Sequence, residues 1–374
     1  MIPVCIPTIK GNELKYVTDC INTNWISSSG KYVDLFEQGF SNYCNVKHGI
    51  ACSNGTVALH LALESLGITK NNEVIMPNFT MISTAFSIIY TGAKPVLVDS
   101  EENTWNIDVN KIEEKITDKT KAIMVMHTYG HPVDMDPILK IAKNNNLYVI
   151  EDAAEAHGAE YKDKKVGNLS DVAAFSFYSN KILTTGEGGM VLTNNDKVAE
   201  KAKLLRNVAF TTPRFVHHEI GFNYRLTNLQ AALGVAQLEN IEEYVSARIN
   251  NASKYTKLIR EIEGITTPPK ASWAKNVYWM YGIILDSKLN INRDELMKLM
   301  YQEGVETRPF FIPMHHQPLF KKNDSRFPDI NGEFPVSEKL GYNGLYLPSS
   351  SSLTNQEIEF VVDKLKYCIK KLSR

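Results

Sequence analysis

Three short segments of this chain carry side chains whose types and order suit chemistry at the edge of a sheet. Tyr178-Ser179-Asn180-Lys181 follows the apolar run Val172–Phe177, which puts a lysine just past a strand. Desolvation there lowers a lysine pKa and makes a neutral, nucleophilic amine available; a surface lysine in a loop is the plainer alternative. Glu151-Asp152-Ala153-Ala154-Glu155-Ala156-His157-Gly158 follows the strand-like Tyr148–Ile150. A carboxylate at the end of a central strand suits a protonated ring nitrogen, and the alanines leave room for something flat. The same acids would also be favoured simply at a helix N-terminus by its dipole. Asn54-Gly55-Thr56 follows His48–Cys52 and opens a helix. Free amides and the positive dipole end make that a phosphate seat, unless it is an ordinary turn with its cap. Ser176, on the strand before Lys181, is a second candidate for phosphate. A phosphate seat, a ring-nitrogen acid and an amine nucleophile on one sheet edge are the parts that a pyridoxal phosphate enzyme needs.

Other residues offer less. His127, Tyr129 and His131 follow a strand, where they either line a site or hold their loop together. Arg308, His315 and His316 belong to a Pro/His-rich loop, Arg308–Pro318, that approaches a substrate or serves only local structure. Tyr278-Trp279-Tyr281 reads as core of a smaller domain rather than as a stacking platform. Thr184-Thr185-Gly186-Glu187-Gly188-Gly189 does not fit G-x-G-x-x-G and precedes a strand, so it gives no support to a dinucleotide fold.

The elements that must position these groups alternate through the first two thirds. Strands are expected at His48–Cys52, Glu73–Met76, Pro95–Val98, Ala122–Met126, Tyr148–Ile150, Val172–Phe177 and Gly189–Thr193. Helices are expected from Val57 to Leu66, at Met81–Tyr90 and around Lys140–Lys143. Such alternation implies a mainly parallel sheet covered on both faces, with ligands beyond the carboxyl ends of its strands. From Thr227 a long helical stretch runs to about Ile262, until Thr266-Thr267-Pro268-Pro269 breaks it. A strand at Tyr278–Leu285, a helix near Asp294–Tyr301 and a final amphipathic helix from Thr354 to Leu372 suggest a second, smaller α+β domain.

The chain has 374 residues, 43% of them hydrophobic, and a formal net charge of -1. That length builds a large core and more than one ordinary domain. The near-neutral balance speaks against a nucleic-acid partner, and no apolar run reaches the ~18 residues of a membrane span. The first residues lack the pattern of a signal peptide, so a cytoplasmic location is expected. Five scattered cysteines without a C-x-x-C pair suggest neither a disulfide framework nor a zinc site, and no metal is expected.

In the order of these motifs the chain resembles, over nearly its whole length, the DegT/DnrJ/EryC1/StrS family of sugar aminotransferases. Trp25-Ile26-Ser27-Ser28-Ser29-Gly30 is similar to the family's N-terminal signature, and Asn54-Gly55-Thr56 to its phosphate turn. The resemblance implies an α/β, aspartate-aminotransferase-like fold (fold type I). Residues 1–245 would form a large domain with a mainly parallel mixed sheet, and 246–374 a smaller C-terminal α+β domain on which the N-terminal segment packs. It implies pyridoxal 5'-phosphate (PLP/PMP) joined to Lys181 as an imine, with Asp152 at the pyridine nitrogen and Asn54, Gly55, Thr56 and Ser176 at the phosphate. Glu155 falls near the phenolic oxygen, where many relatives have Gln, and Met81 where some place an aromatic residue against the ring. In Gly221-Phe222-Asn223-Tyr224-Arg225, Asn223 would reach the phosphate held by the neighbouring subunit, which implies a homodimer with shared active sites. A sister branch that dehydrates C3 carries His at the lysine position, and Lys181 separates this chain from it.

Within the family, Trp25–Tyr32, Ile150–His157, Thr184–Met190 and Glu306–His315 resemble the branch that aminates C4 of GDP-4-keto-6-deoxy-D-mannose, a branch that Glu155 also fits. The implied reaction is a two-half transamination with L-glutamate as donor, in which Lys181 moves the proton and His315 and Arg308 are candidates for substrate binding. A UDP- or dTDP-linked keto sugar, other pyridoxal phosphate chemistry on amino acids, and a non-catalytic cofactor-binding regulator are the competing readings.

Overall fold

The structure, a computed structural model, describes residues 1–373. Two helices, α1 (Glu13–Asn22) and α2 (Lys31–Tyr43), precede the alternating region. There the chain runs β1 (His48–Cys52), α3 (Gly55–Ser65), β2 (Glu73–Pro77), α4 (Ile82–Tyr90), β3 (Lys94–Val98), β4 (Thr120–Met126), α5 (Met135–Asn145) and β5 (Tyr148–Asp152). After a short hairpin, β6 (Glu160–Tyr161) and β7 (Lys164–Lys165), come β8 (Val172–Ser176), β9 (Gly189–Thr193) and α6 (Asp196–Arg206). Seven of these strands form one sheet in the order β1-β9-β8-β5-β4-β2-β3. β9 runs antiparallel to both of its neighbours and the other pairs are parallel.

Strands buried on both faces show no polar alternation in sequence, yet their pleat still divides them. Ile75, Ile123, Val125, Val149, Ala173 and Phe175 enter one hydrophobic cluster with residues of α2 and α7 (Asn228–Leu238). Val74, Met76, Ala122, Met124, Ile150, Val172 and Ala174 enter another with residues of α3, α4 and α6. The apolar run of α3 is buried almost all round because it is sandwiched between the sheet and its neighbouring helices.

The long helical stretch expected from Thr227 is two helices. α7 begins at a Thr227–Gln230 capping box, and α8 (Ile241–Ile259) starts after a break at Glu239-Asn240, where the backbone at Asn240 is not helical. A continuous apolar stripe in sequence does not reveal such a turn, because both helices keep an apolar face inward. α8 then links two cores: Tyr244 and Val245 pack in the first cluster, Ala252, Tyr255 and Ile259 in a third. That third cluster contains α9 (Arg293–Gln302), α11 (Asn355–Leu372) and a four-stranded sheet. The sheet's order is β10 (Ile265–Thr266), β12 (Tyr281–Leu285), β14 (Gly344–Leu347) and β13 (Arg308–Pro309), with α10 (Pro335–Asn343) before β14. β11 (Ala274–Lys275) pairs instead with β6. The N-terminus joins this region: Ile2 bridges to Val305, and Val4 N–H donates to Glu306 Oε2 at 2.9 Å.

Candidate active site

The pleat separates the two adjacent acids at the end of β5. Glu151 turns to the α2/α7 side, where its carboxylate accepts from Gly167 N–H (2.9 Å), Leu169 N–H (3.0 Å) and Ser170 Oγ (2.8 Å) and meets His127 Nε2 at 3.1 Å. A carboxylate with four partners is a structural clamp. Asp152 turns to the α4 side. Its Oδ2 accepts from Thr84 Oγ1 at 2.8 Å and its Oδ1 from Ala154 N–H at 3.2 Å. No Lys, Arg or His lies within ion-pair distance of it among the described residues. Burial pushes its carboxyl above the usual range, opposed by those two hydrogen bonds and by the charge of Lys181. Such a group favours a cationic N–H partner.

Lys181 sits in the turn after β8, its N–H bonded to the Tyr178 carbonyl at 2.9 Å. The side chain is 10% exposed and its Nζ is 3.9 Å from Glu155 Oε1. Burial lowers the Lys181 pKa, while Glu155 and Asp152 raise it. The same burial lifts Glu155 to about 7, against the pull of Lys181 and of a hydrogen bond from Tyr129 N–H at 2.9 Å. Tyr129 adopts a left-handed backbone, φ 51°, and Gly130 follows at φ 100°. Non-glycine residues seldom hold that conformation, and here it accompanies an amide aimed at Glu155. Trp279 also stands against the lysine: Lys181 Nζ is 3.6 Å from its ring centroid, and its Nε1–H donates to the Asn180 carbonyl at 2.8 Å. In sequence, Trp279 reads as small-domain core. Tyr281 does pack there, stacked on Tyr255, but Tyr278, at φ 49°, kinks the chain before β12 and turns Trp279 to the site.

The turn after β1 forms the third part. Asn54 Oδ1 caps Val57 N–H at 3.0 Å, and the Asn54 carbonyl accepts from Ala58 N–H. The other two first-turn amides, Gly55 and Thr56, have no partner among the described residues. Gly55 lies against Ser176: a Cβ on it would stand 2.6 Å from the Ser176 Cβ and 3.0 Å from its Oγ. Thr56 Oγ1 donates to Ser83 Oγ at 3.0 Å. Two free amides, a dipole end and the Ser176 hydroxyl are thus brought together, as an anion seat requires.

The remaining candidates are placed elsewhere or tied up. Met81 is half-exposed at the N-cap of α4. Asn223 lies beside Asn207 on an outer segment and accepts from Arg225. Arg308 is exposed and paired with Glu306 at 3.2 Å. His315 is buried: Asn78 Nδ2 donates to its Nδ1 at 2.8 Å, which leaves Nε2–H to donate to Glu338 at 3.1 Å. His127 Nδ1 accepts from Val133 N–H, and His131 meets the Pro132 carbonyl. Both hold their loop together. Thr84 and the Tyr129 amide were missed by sequence reading, since an ordinary threonine and a backbone group give no signal of their own.

The sequence profile of the DegT/DnrJ/EryC1/StrS aminotransferase family matches residues 7–366. GDP-perosamine synthase of Caulobacter vibrioides is 46% identical over 97% of each chain, and that of Escherichia coli O157:H7 is 41% identical over 97% of each. In three dimensions the chain is similar to S. venezuelae DesV, solved in complex with a ketimine intermediate, with a TM-score of 0.89 at 31% identity over 96% of this chain and 94% of DesV. The chain therefore belongs to the DegT/DnrJ/EryC1/StrS family of pyridoxal-phosphate-dependent sugar aminotransferases.

Proposed function

We propose that the enzyme transfers an amino group from L-glutamate to C4 of GDP-4-keto-6-deoxy-D-mannose, giving GDP-perosamine. Two relatives of that name, similar over 97% of their length, support the substrate. The observation that carries the chemistry is a desolvated Lys181 amine in the same buried site as an Asp152 carboxylate that lacks a cation. These residues fit pyridoxal phosphate. Asp152 would hold the pyridine N–H, Gly55, Thr56 and Ser176 the phosphate, and Asn54 the turn that presents it. Glu155 and Met81 would flank the ring, and Lys181 would carry the covalent link. When bound, the cofactor supplies an electron sink for a carbanion at the donor's α-carbon.

Lys181, free once the donor is bound, would move the proton from the donor's α-carbon to the cofactor's C4′ carbon in the first half reaction and from C4′ to C4 of the sugar in the second. A positioned base of this kind contributes about 10²–10⁴-fold. Asp152 would keep a proton on the ring nitrogen throughout. We further propose that His315 and Arg308 bind substrate and that two copies share their sites, Asn223 of each reaching the other's phosphate seat. The exposure of Trp25, Ile26, Phe215 and Ile220 supports the homodimer. In the same reading, residues 1–245 and 246–374 are the two domains, and the enzyme works in the cytoplasm; no helix among the described residues is long and apolar enough to cross a membrane.

The test is incubation with pyridoxal phosphate, L-glutamate and GDP-4-keto-6-deoxymannose, read by mass spectrometry beside Lys181→Ala. Amino sugar from the wild type alone is expected. Equal rates with UDP- and dTDP-linked keto sugars would overturn the GDP assignment. Absence of any cofactor absorbance change with glutamate would overturn the donor, or leave a regulator as the better reading.

A further inference from the structure

The turn that carries Lys181 is held by a residue from outside the large sheet. Trp279 lies 99 positions beyond Asn180, at the entry to β12, and is 4% exposed. One side chain grips the turn twice: the ring face lies 3.6 Å from Lys181 Nζ, and the indole N–H bonds the Asn180 carbonyl at 2.8 Å. The Trp279 backbone is fixed in turn, its carbonyl accepting from Arg248 Nη1 at 2.7 Å. Gly130 packs so tightly here that a Cβ on it would come within 3.0 Å of Trp279 N. The tryptophan and the Tyr129 amide that holds Glu155 therefore belong to one packed unit, and both Glu155 and the indole stand close to the amine.

A lysine has a flexible four-carbon stem and a strongly hydrated head. Freed from the cofactor in a buried pocket, it tends to shed its proton or swing to water. An aromatic face attracts the ammonium through the ring quadrupole and also packs against the neutral amine. We propose that Trp279 is a positioning residue whose indole face seats the Lys181 amine whenever it is free, while its N–H fixes the turn, so that the amine stays in the site between its two proton transfers. This rests on Lys181 being the cofactor lysine.

The test uses cofactor-free full-length protein. The pH dependence of Lys181 acylation by an amine-selective reagent is followed by peptide mass spectrometry in the wild type, Trp279→Leu, Trp279→Met and Trp279→Phe. Removing the ring face withdraws support from the ammonium, so the midpoint for Lys181 falls by about one unit in the Leu and Met variants. Phe, which keeps a face, restores most of it. A midpoint unmoved in a Leu or Met variant that melts cooperatively overturns the proposal. Two non-aromatic replacements guard against one failing to fold. If neither folds, a Phe variant with the Leu-like shift expected of a lost ring face also overturns it. Borohydride reduction of loaded wild type separates the two readings. Cofactor trapped on another residue defeats the assignment of Lys181 and this proposal with it. Trapping on Lys181 with an unmoved midpoint defeats only the role of Trp279.

Discussion

Replacing Asp152 by Asn isolates the charge at the end of β5 while keeping its shape. An amide with its oxygen at the Oδ1 position still accepts from Ala154 N–H, and its NH₂ then faces Thr84 Oγ1, which also contacts Thr80 Oγ1 at 2.8 Å and is able to accept in place of donating. In the cofactor-free chain the substitution removes a buried charge with no cationic partner. Burial raises the Asp152 pKa above its ordinary 3.8. An acid raised on folding destabilises the native state increasingly as pH climbs from the unfolded value through the folded one, and the amide does not. Cofactor-free Asp152→Asn is therefore expected to melt at or above the wild type at neutral pH. With the cofactor bound, the same change leaves a ring N–H⁺ without its counter-charge. Breaking a buried pair in this way costs about 3–5 kcal/mol, which is roughly 10²–10⁴ in turnover. Differential scanning fluorimetry of the cofactor-free protein and steady-state kinetics at saturating cofactor measure the two halves. Retention of more than about a tenth of wild-type kcat at equal cofactor content would refute the placement of the ring nitrogen on Asp152. A large drop in cofactor-free melting would refute the reading of the carboxylate as uncompensated.

Three further outcomes follow from the same geometry. Glu155 is raised by burial to about 7 from an ordinary 4.5, so it lowers cofactor-free stability progressively as pH rises through that window; Glu155→Gln should flatten the melting temperature against pH there, and parallel curves would contradict it. Glu151→Gln leaves buried donors short of an acceptor and should cost about 3 kcal/mol in urea unfolding without altering the absorbance of bound cofactor, the converse of Asp152→Asn. Gly55→Ala drives a Cβ to 2.6 Å from the Ser176 Cβ, an overpacking of about 1–3 kcal/mol; cofactor titration should show affinity weakened about tenfold or more, and unchanged affinity would remove Ser176 and Gly55 from the phosphate seat.

The sequence by itself determined the parts of the site that lie next to strands. Asp152 and Lys181 each follow an apolar run, and a parallel sheet carries such positions to one edge whatever the loops do. The turn at Asn54-Gly55-Thr56 was legible for the same reason, since a glycine between a strand and an apolar helix fixes where the chain reverses. The strands of the large sheet were readable because buried strands have short, continuous apolar runs, whereas β14, equally buried but only four residues long, and the two-residue strands of the smaller sheets were not. α1, α2 and α6 are less plain in sequence, since charged or polar residues separate the positions they bury, Val198, Ala199, Ala202 and Leu205 in α6 for example. The motif resemblance points to Asp152 rather than Glu151, but only tertiary structure decided their surroundings: a pleat sends Glu151 to four donors and Asp152 to the opposite face, and periodicity without register cannot tell the two apart. It also decided the walls around the lysine. Trp279 and the Tyr129 amide reach Lys181 and Glu155 from distant segments through kinked backbone, and composition reads a buried tryptophan as core. Contacts made across the fold by backbone groups and aromatic faces depend on where separate segments meet in space, which no local spacing encodes.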